Sequence, residues 1–208
     1  MHLAITGNIG AGKTTLAEKL AAQLGGEVLY ESVAENPYLA DFYADMPRWA
    51  FSLQVYFLTS RFGQMRRINS LHQTSQPAPL LIQDRTIYED SAIFARNLFL
   101  DGTLSERDYQ TYQALFDEMM QDVRPPDLMI YLKASMPRLQ QQIRKRGRAF
   151  EQSISEDYLA SLNDLYDAFA ANYRVGPMLV IEVDGLDYVH NPADFAQIVT
   201  AVTQRLNG

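Results

Sequence analysis

The chain has 208 residues, of which 47% are hydrophobic and 21% charged, and this composition suits one globular domain with a substantial core. A net charge of −7 argues against a nucleic acid polymer as partner, no apolar run is long enough to span a membrane, and the absence of cysteine excludes disulfides and thiolate metal sites. We therefore expect a cytoplasmic protein with a single domain over residues 1–208 and no contact with membranes.

Strand and helix patterns alternate along the chain. Residues 2–6 are short and apolar and end at a glycine loop, as buried strands do, and Leu16, Leu20 and Leu24 then share one helical face. The predicted elements are strand 2–6, helix 13–24, strand 27–32, helix 48–74, strand 80–84, helices 87–99 and 105–122, strand 127–133, helices 135–147 and 155–173, strand 178–184 and helix 192–206. Because helices separate successive strands, the fold class is α/β, with a five-stranded parallel sheet flanked by helices.

A glycine-rich stretch, GNIGAGKTT, follows the first strand at residues 7–15 and fits the pattern G-x-x-x-x-G-K-[ST]. Its glycines allow the backbone N–H groups to face a phosphate, and the next helix adds positive potential at its N-terminus. Lys13 is expected to reach the β- and γ-phosphates and Thr14 to bind Mg²⁺. The sequence thus predicts a nucleoside triphosphate site, although a glycine-rich turn with a chance lysine is the simpler alternative. The predicted contacts are Gly7, Asn8, Ile9, Gly10, Ala11, Gly12, Lys13, Thr14 and Thr15.

Arginines are concentrated late in the chain, in IRKRGR at residues 143–148. One interpretation is a solvated helix end, where Arg144, Arg146 and Arg148 suit the helix dipole. The other is a lid over about residues 142–153 whose arginines stabilise charge on a transferring phosphoryl group.

The third strand is not followed by D-x-x-G and the chain has no N-K-x-D, so a signalling GTPase is excluded. A small acidic domain of this kind favours a small-molecule kinase.

Polar residues follow two predicted strands at the sheet edge where ligands bind in open α/β folds. Glu31 ends the second strand and could accept the proton of a hydroxyl acceptor, while Asp84 and Arg85 end the third. The ordinary alternatives are a solvated strand end for Glu31 and a structural ion pair for Asp84 and Arg85.

On helix 48–74, Gln54 and Arg61 are seven residues apart and share a face among aromatic residues. This face suits a flat base with hydrogen-bonding edges, or it is ordinary core.

Five blocks together resemble one family of enzymes. They are ITGNIGAGKTT at 5–15, ESV at 31–33, FSLQVYFLTSR at 51–61, DRTIYED at 84–90 and RGRAFE at 146–151. In order and spacing they are similar to the deoxyribonucleoside kinases, in particular the bacterial deoxyadenosine/deoxyguanosine kinase branch. The resemblance spans essentially the whole chain. It implies a P-loop kinase fold with a short arginine-rich lid, ATP and Mg²⁺ as cofactors, a small-molecule deoxynucleoside as acceptor, and a homodimer formed by helices beside the sheet.

The resemblance also implies a role for each matching position. Glu31 takes the proton of the 5′-hydroxyl with Arg85 beside it, and Lys13 and Arg146 act on the phosphoryl group. On the donor side, Asp84 orders Mg²⁺ through water, Arg146 and Arg148 belong to the lid, and Tyr188 stacks on the donor adenine. On the acceptor side, Tyr43 and Glu151 hold the sugar 3′-hydroxyl, and Gln54 pairs with the base edge. Arg61 and Asp90 lie deeper in the base pocket, and its candidate apolar walls are Trp49, Phe51 and Phe94.

The sequence departs from the family pattern at three positions. Ser32 replaces a proline, Thr86 replaces a serine, and Gln142 replaces a lid arginine for which Arg144 could compensate.

The Arg61–Asp90 pair can meet the edge of guanine or adenine, so we expect ATP-dependent 5′-phosphorylation of purine deoxynucleosides in nucleotide salvage. Two alternatives stay open. One is a thymidylate-type monophosphate kinase, with Arg48, Arg66 and Arg67 available for the acceptor phosphate, and the other is a catalytically silent nucleotide sensor.

Overall fold

The computed structural model describes residues 1–30, 36–148, 151 and 154–207. Five strands form one parallel sheet in the order β2–β3–β1–β4–β5, as predicted for an α/β fold. The strands are β1 (His2–Thr6), β2 (Glu27–Leu29), β3 (Leu81–Asp84), β4 (Leu128–Lys133) and β5 (Met178–Glu182). The helices are α1 (Lys13–Leu24), α2 (Leu39–Ala44), α3 (Met46–Thr74), α4 (Ile87–Glu89), α5 (Arg96–Leu100), α6 (Glu106–Met120), α7 (Met136–Arg146), α8 (Glu156–Asn172) and α9 (Pro192–Asn207), with a π-helical segment, Asp90–Ala95, between α4 and α5.

Helices cover both faces of the sheet because alternate side chains of β1 point to opposite sides. Leu3 and Ile5 join a core cluster that includes Leu16 of α1, whereas Ala4 joins a second cluster with Leu58 of α3. All five residues of β1 are buried, which explains why its sequence is a continuous apolar run rather than an alternating pattern. None of the helices in the described ranges is long and apolar enough to cross a membrane.

The differences from the predicted elements are local. β2 ends at Leu29, so the strand predicted over residues 27–32 stops before Tyr30, and β5 ends at Glu182 rather than at 184. α3 begins at Met46, before the predicted start at 48, since proline is tolerated in a first helical turn and the Asp45 side chain caps the N–H of Arg48. The short helix α2 was not predicted, because six residues show no clear periodicity.

The helix predicted over residues 87–99 is interrupted. Its middle, Asp90–Ala95, has π-helical geometry between the short helices α4 and α5. Apolar periodicity does not distinguish a single π-helical turn from an α-helix, so the sequence pattern gave no indication of this change. The segment begins at Asp90, one of the residues expected in the base pocket.

Candidate active site

The phosphate loop lies between β1 and α1, in the context that the motif predicts. Gly12 has a left-handed φ of 96° at the start of α1, and a Cβ at this position would overlap the hydroxyl of Tyr188. Lys13 is 7% exposed, and its ammonium donates to the carbonyls of Gly7 at 2.8 Å and Asn8 at 3.0 Å. The loop therefore wraps around the lysine that is predicted to bind the phosphates.

Asn8 fixes this loop to helix α8. Its side-chain nitrogen donates to the carbonyl of Leu159 at 3.0 Å and to Oδ1 of Asn163 at 3.1 Å, and its own oxygen accepts from the N–H of Ile9 at 2.8 Å. Asn8 is 2% exposed. Its side chain therefore supports the loop from behind, and only its backbone is placed to contact a nucleotide.

Thr14 and Asp84 form the candidate magnesium site. The register of β1 against β3 places Ile5 beside Asp84, so the carboxylate lies next to the phosphate loop. The Thr14 hydroxyl donates to Oδ2 of Asp84 at 2.5 Å, and Oδ1 of Asp84 is buried without a hydrogen-bond partner among the residues that the structure describes. Hydroxyl and carboxylate oxygens suit Mg²⁺, which commonly uses few protein ligands together with phosphates and water. The described residues contain no cluster of three or more His, Cys, Asp or Glu that could hold a metal.

Arg85 follows Asp84 and turns the chain from β3 into α4. Among the described residues it is the only non-glycine residue with a positive φ, 71°. Its guanidinium is buried and contacts Tyr166, Glu89 and the ring of Phe94. The structural ion pair considered from the sequence thus involves Glu89, not the neighbouring Asp84. Phe94, a predicted wall of the base pocket, supports the guanidinium.

The candidate base pocket lies between α3 and the π-helical segment. Gln54 and Arg61 are both buried on one face of α3, as their spacing predicts. Arg61 Nε lies 2.9 Å from Oδ1 and 2.8 Å from Oδ2 of Asp90, and both residues are 2% exposed. Oε1 of Gln54 is buried and has no hydrogen-bond partner in the described part of the chain. A buried acceptor without a partner is unfavourable, so this oxygen suits a donor on a ligand.

The other aromatic residues expected around the acceptor lie close to α2. Tyr43 belongs to α2 and its ring contacts that of Phe42, with centroids 5.3 Å apart. Trp49 and Phe51 pack with α2 in a small apolar cluster. Tyr43, Trp49 and Phe51 all belong to this cluster, which also contains Leu53, the residue next to Gln54.

The predicted lid residues are bound to one another. Glu151 accepts from Nε of Arg146 at 2.9 Å and from its Nη2 at 2.6 Å, and Nη1 of Arg148 lies 3.4 Å from the same carboxylate. Glu151 is 4% exposed, so this is a buried carboxylate with two guanidinium partners. Arg144 instead lines a surface groove of about 430 Å³. The groove is formed by Ser135, Pro137, Arg138, Gln141, Arg144 and Asp184.

Tyr188 has a different environment from the one expected. Tyr188 is 4% exposed and belongs to the main core cluster, and its hydroxyl donates to the carbonyl of Gly12 at 3.1 Å. Burial raises the pKa of Tyr188 to about 12, so the phenol stays a neutral donor. The ring has little surface on which an adenine could stack, because it is packed beneath the phosphate loop that its hydroxyl supports.

Some predicted residues lie outside the described ranges, and two buried residues at the site were not predicted. Glu31 and Ser32 belong to the first group, so the place of the proposed base stays a prediction. Glu89 and Tyr166 belong to the second: both are 0% exposed and contact Arg85. The sequence held a signal for Glu89, since Thr86 and Glu89 have the spacing of a helix capping box, which the structure contains. A tyrosine in an apolar helix such as α8 carries no comparable signal.

Comparison with known proteins gives one family. A family model described as deoxynucleoside kinase matches residues 3–207. A deoxyadenosine/deoxycytidine kinase of Bacillus subtilis (strain 168) is 35% identical over 202 residues, which cover 96% of this chain and 90% of that protein. A deoxyguanosine kinase of the same organism is 35% identical over 206 residues, with 97% and 96% covered. The structure of a deoxyadenosine kinase from M. mycoides with bound dATP matches with a TM-score of 0.85 and 31% identity, over 98% of this chain and 100% of that chain.

Proposed function

The chain belongs to the deoxynucleoside kinase family, and we propose that it transfers the γ-phosphoryl group of ATP to the 5′-hydroxyl of purine deoxynucleosides. The observation that carries the proposal is the position of the buried Arg61–Asp90 pair and the unbonded oxygen of Gln54 in the base pocket. An arginine, a carboxylate and an amide together offer donors and acceptors for the edge of adenine or guanine. The Bacillus subtilis relatives are named for deoxyadenosine, deoxycytidine and deoxyguanosine, so deoxycytidine is the nearest competing acceptor.

On the donor side, the phosphate loop and Lys13 bind the triphosphate. Thr14 would hold Mg²⁺ directly and Asp84 would hold it through water. Their hydrogen bond at 2.5 Å supports this proposal, because it brings the two oxygens close together. When bound, Mg²⁺ neutralises charge between the β- and γ-phosphates. Lys13, whose ammonium is bonded to carbonyls of the loop, adds positive charge there, so the γ-phosphoryl group is held and its charge reduced before transfer.

On the acceptor side, we propose the roles that the family resemblance implies for these positions. Gln54 pairs with the base, Tyr43 and Glu151 hold the 3′-hydroxyl, and Glu31 accepts the proton of the 5′-hydroxyl. Glu151 is already oriented by its two bonds to Arg146. We propose that the lid arginines, Arg146 and Arg148, give up part of their contact with Glu151 and bind phosphate oxygens when the donor binds. A guanidinium can bridge a carboxylate and a phosphate in this way.

We further propose that residues 1–208 form one kinase domain, which acts as a homodimer in the cytoplasm. The single family model over residues 3–207 supports one domain. The long helix α3 lies beside the sheet and offers the extended surface that a helical dimer interface requires. Sedimentation velocity measures the oligomeric state, and a monomer at micromolar concentration would contradict the proposed dimer.

A panel of initial rates with MgATP tests the proposed reaction. The acceptors are deoxyadenosine, deoxyguanosine, deoxycytidine, thymidine, adenosine and dTMP. Higher kcat/KM for the two purine deoxynucleosides than for every other acceptor is the expected result. Transfer to dTMP alone would favour the monophosphate kinase, and ATP binding without transfer to any acceptor would favour a silent sensor.

A further inference from the structure

The contact between the buried guanidinium of Arg85 and the buried carboxylate of Glu89 is long. Arg85 is 4% exposed and Glu89 is 0% exposed, yet Nη1 of Arg85 lies 3.4 Å from Oε2 of Glu89. A buried cation and a buried carboxylate ordinarily form short, often bidentate bonds. The long contact therefore indicates that another group holds the two charges apart.

That group is the hydroxyl of Tyr166. It accepts from Nη1 of Arg85 at 2.7 Å and donates to Oε2 of Glu89 at 2.6 Å. An arginine can only donate and an ionised carboxylate can only accept, so the tyrosine proton must point to Glu89. The hydroxyl thus stands between the charges and bonds more closely to each of them than they do to each other.

The carboxylate of Glu89 and the ring of Tyr166 are each held in place by other contacts. The other carboxylate oxygen of Glu89 accepts from the N–H of Thr86 at 2.8 Å as part of the α4 capping box, which stops the carboxylate from moving toward the arginine. The ring of Tyr166 is stacked on Tyr131, with centroids 6.0 Å apart and planes at 8°, and meets Phe94 edge-on. Phe94 also lies 4.6 Å below Cζ of Arg85. The hydroxyl position is therefore set by packing.

Helix α8 links this arrangement to the phosphate loop. Leu159, Asn163 and Tyr166 are spaced so that they share one face of the helix. The first two bind Asn8 of the loop, and the third binds Arg85 at the end of β3. One rigid helix thus fixes the arginine relative to the loop that holds the triphosphate.

We propose that Tyr166 is a positioning residue that keeps Arg85 directed at the transferring phosphoryl group by holding it away from Glu89. This inference rests on the proposed kinase reaction and on the proposed role of Arg85 in it. Without the hydroxyl, the guanidinium closes onto Glu89 and its charge is neutralised there. Transfer then slows, while binding of ATP through the phosphate loop is unaffected.

The test is a double-mutant cycle between Tyr166→Phe and Arg85→Ala, measured with MgATP and the best acceptor. Tyr166→Phe should lower kcat roughly 10- to 100-fold, the effect of losing a hydrogen bond to a charged group, with little change in KM for ATP. In the Arg85→Ala background the same substitution should have no further effect on kcat, because its target is gone. Glu89→Gln removes the charge of Glu89 but can still cap Thr86. In the Arg85→Ala background this substitution should likewise leave kcat unchanged.

Tyr131→Phe is the matched control. It removes a hydroxyl from the ring stacked on Tyr166, but that hydroxyl bonds to Asp167 instead, so kcat should stay close to the wild-type value. Equal losses of kcat from Tyr166→Phe with and without Arg85 would overturn the positioning role, as would a rise in KM for ATP with unchanged kcat. A fully active Arg85→Ala enzyme would overturn the premise about Arg85. A wild-type chain that transfers phosphate to no acceptor would overturn the proposed function itself.

Discussion

Asp90→Asn should destabilise the protein strongly because it leaves the guanidinium of Arg61 buried without its counter-charge. Both side chains are 2% exposed, and Arg61 Nε lies within 3 Å of both carboxylate oxygens, at 2.9 and 2.8 Å. Breaking a buried pair by removing one partner typically costs about 3–5 kcal/mol. We expect about 3 kcal/mol here, since the asparagine oxygen still accepts from Nε. For a chain of this length the melting temperature should fall by roughly 6–12 °C.

Urea denaturation followed by circular dichroism measures this loss, and two further variants control it. Arg61→Met/Asp90→Asn should recover most of the stability, because no charge is left buried. Arg67→Met removes an exposed pair with Glu27 that is shorter, 2.6 Å, and should cost less than about 1 kcal/mol. A loss below about 1 kcal/mol for Asp90→Asn, or an equal loss for Arg67→Met, would refute the view that burial makes the Arg61–Asp90 pair important.

Three other substitutions test separate parts of the structure. Gly12→Ala should abolish ATP binding in calorimetry, because its Cβ meets the Tyr188 hydroxyl and its φ is 96°; ATP binding within a few-fold of wild type would contradict the loop geometry. Asp84→Asn should raise the Mg²⁺ concentration for half-maximal rate several-fold, and an unchanged Mg²⁺ dependence would remove Asp84 from the metal site. Burial lowers the pKa of His2 from 6.5 to about 4. Between pH 6.5 and about pH 4 the folded chain therefore binds fewer protons than the unfolded chain, and the free energy of unfolding should fall on acidification by up to about 3 kcal/mol. His2→Gln should flatten that pH dependence in denaturation curves, whereas His190→Gln, on the surface, should leave it unchanged.

The three central strands β1, β3 and β4 were predictable from the sequence because they are buried, mostly apolar runs with polar residues or glycine at their ends. β1 and α1 have the predicted bounds for this reason, with Gly25 ending the helix in a left-handed conformation. The end of β2 was not predictable, because Tyr30 continues the apolar pattern even though it is 51% exposed and outside the strand. The last pair of the two strands is Leu29 with Gln83, although β3 continues to Asp84, so β2 leaves the sheet before its neighbour ends. A single segment does not contain that information.

The site was predictable as a set of residues but not as a set of contacts. The motif around Lys13 and the spacing of Gln54 and Arg61 identified side chains that the structure buries. The ion pairs of Glu151 with the lid arginines were not foreseen, because the sequence fixes the residue types and the structure decides which charges meet. The contact of Tyr166 with Arg85 was not foreseen for the same reason. The position of Tyr166 in the apolar pattern of α8 is that of a core residue, and only the fold shows that its hydroxyl reaches Arg85.

An internal competition assay tests most directly whether this kinase acts on purine deoxynucleosides. Equal concentrations of deoxyadenosine, deoxyguanosine, deoxycytidine and thymidine are incubated together with limiting MgATP, and the nucleoside monophosphates are quantified by mass spectrometry. The product ratios equal the ratios of kcat/KM, so they are independent of the amount of active enzyme. We predict that dAMP and dGMP together dominate. A product mixture dominated by dCMP or dTMP would contradict the interpretation of the Arg61–Asp90 pocket.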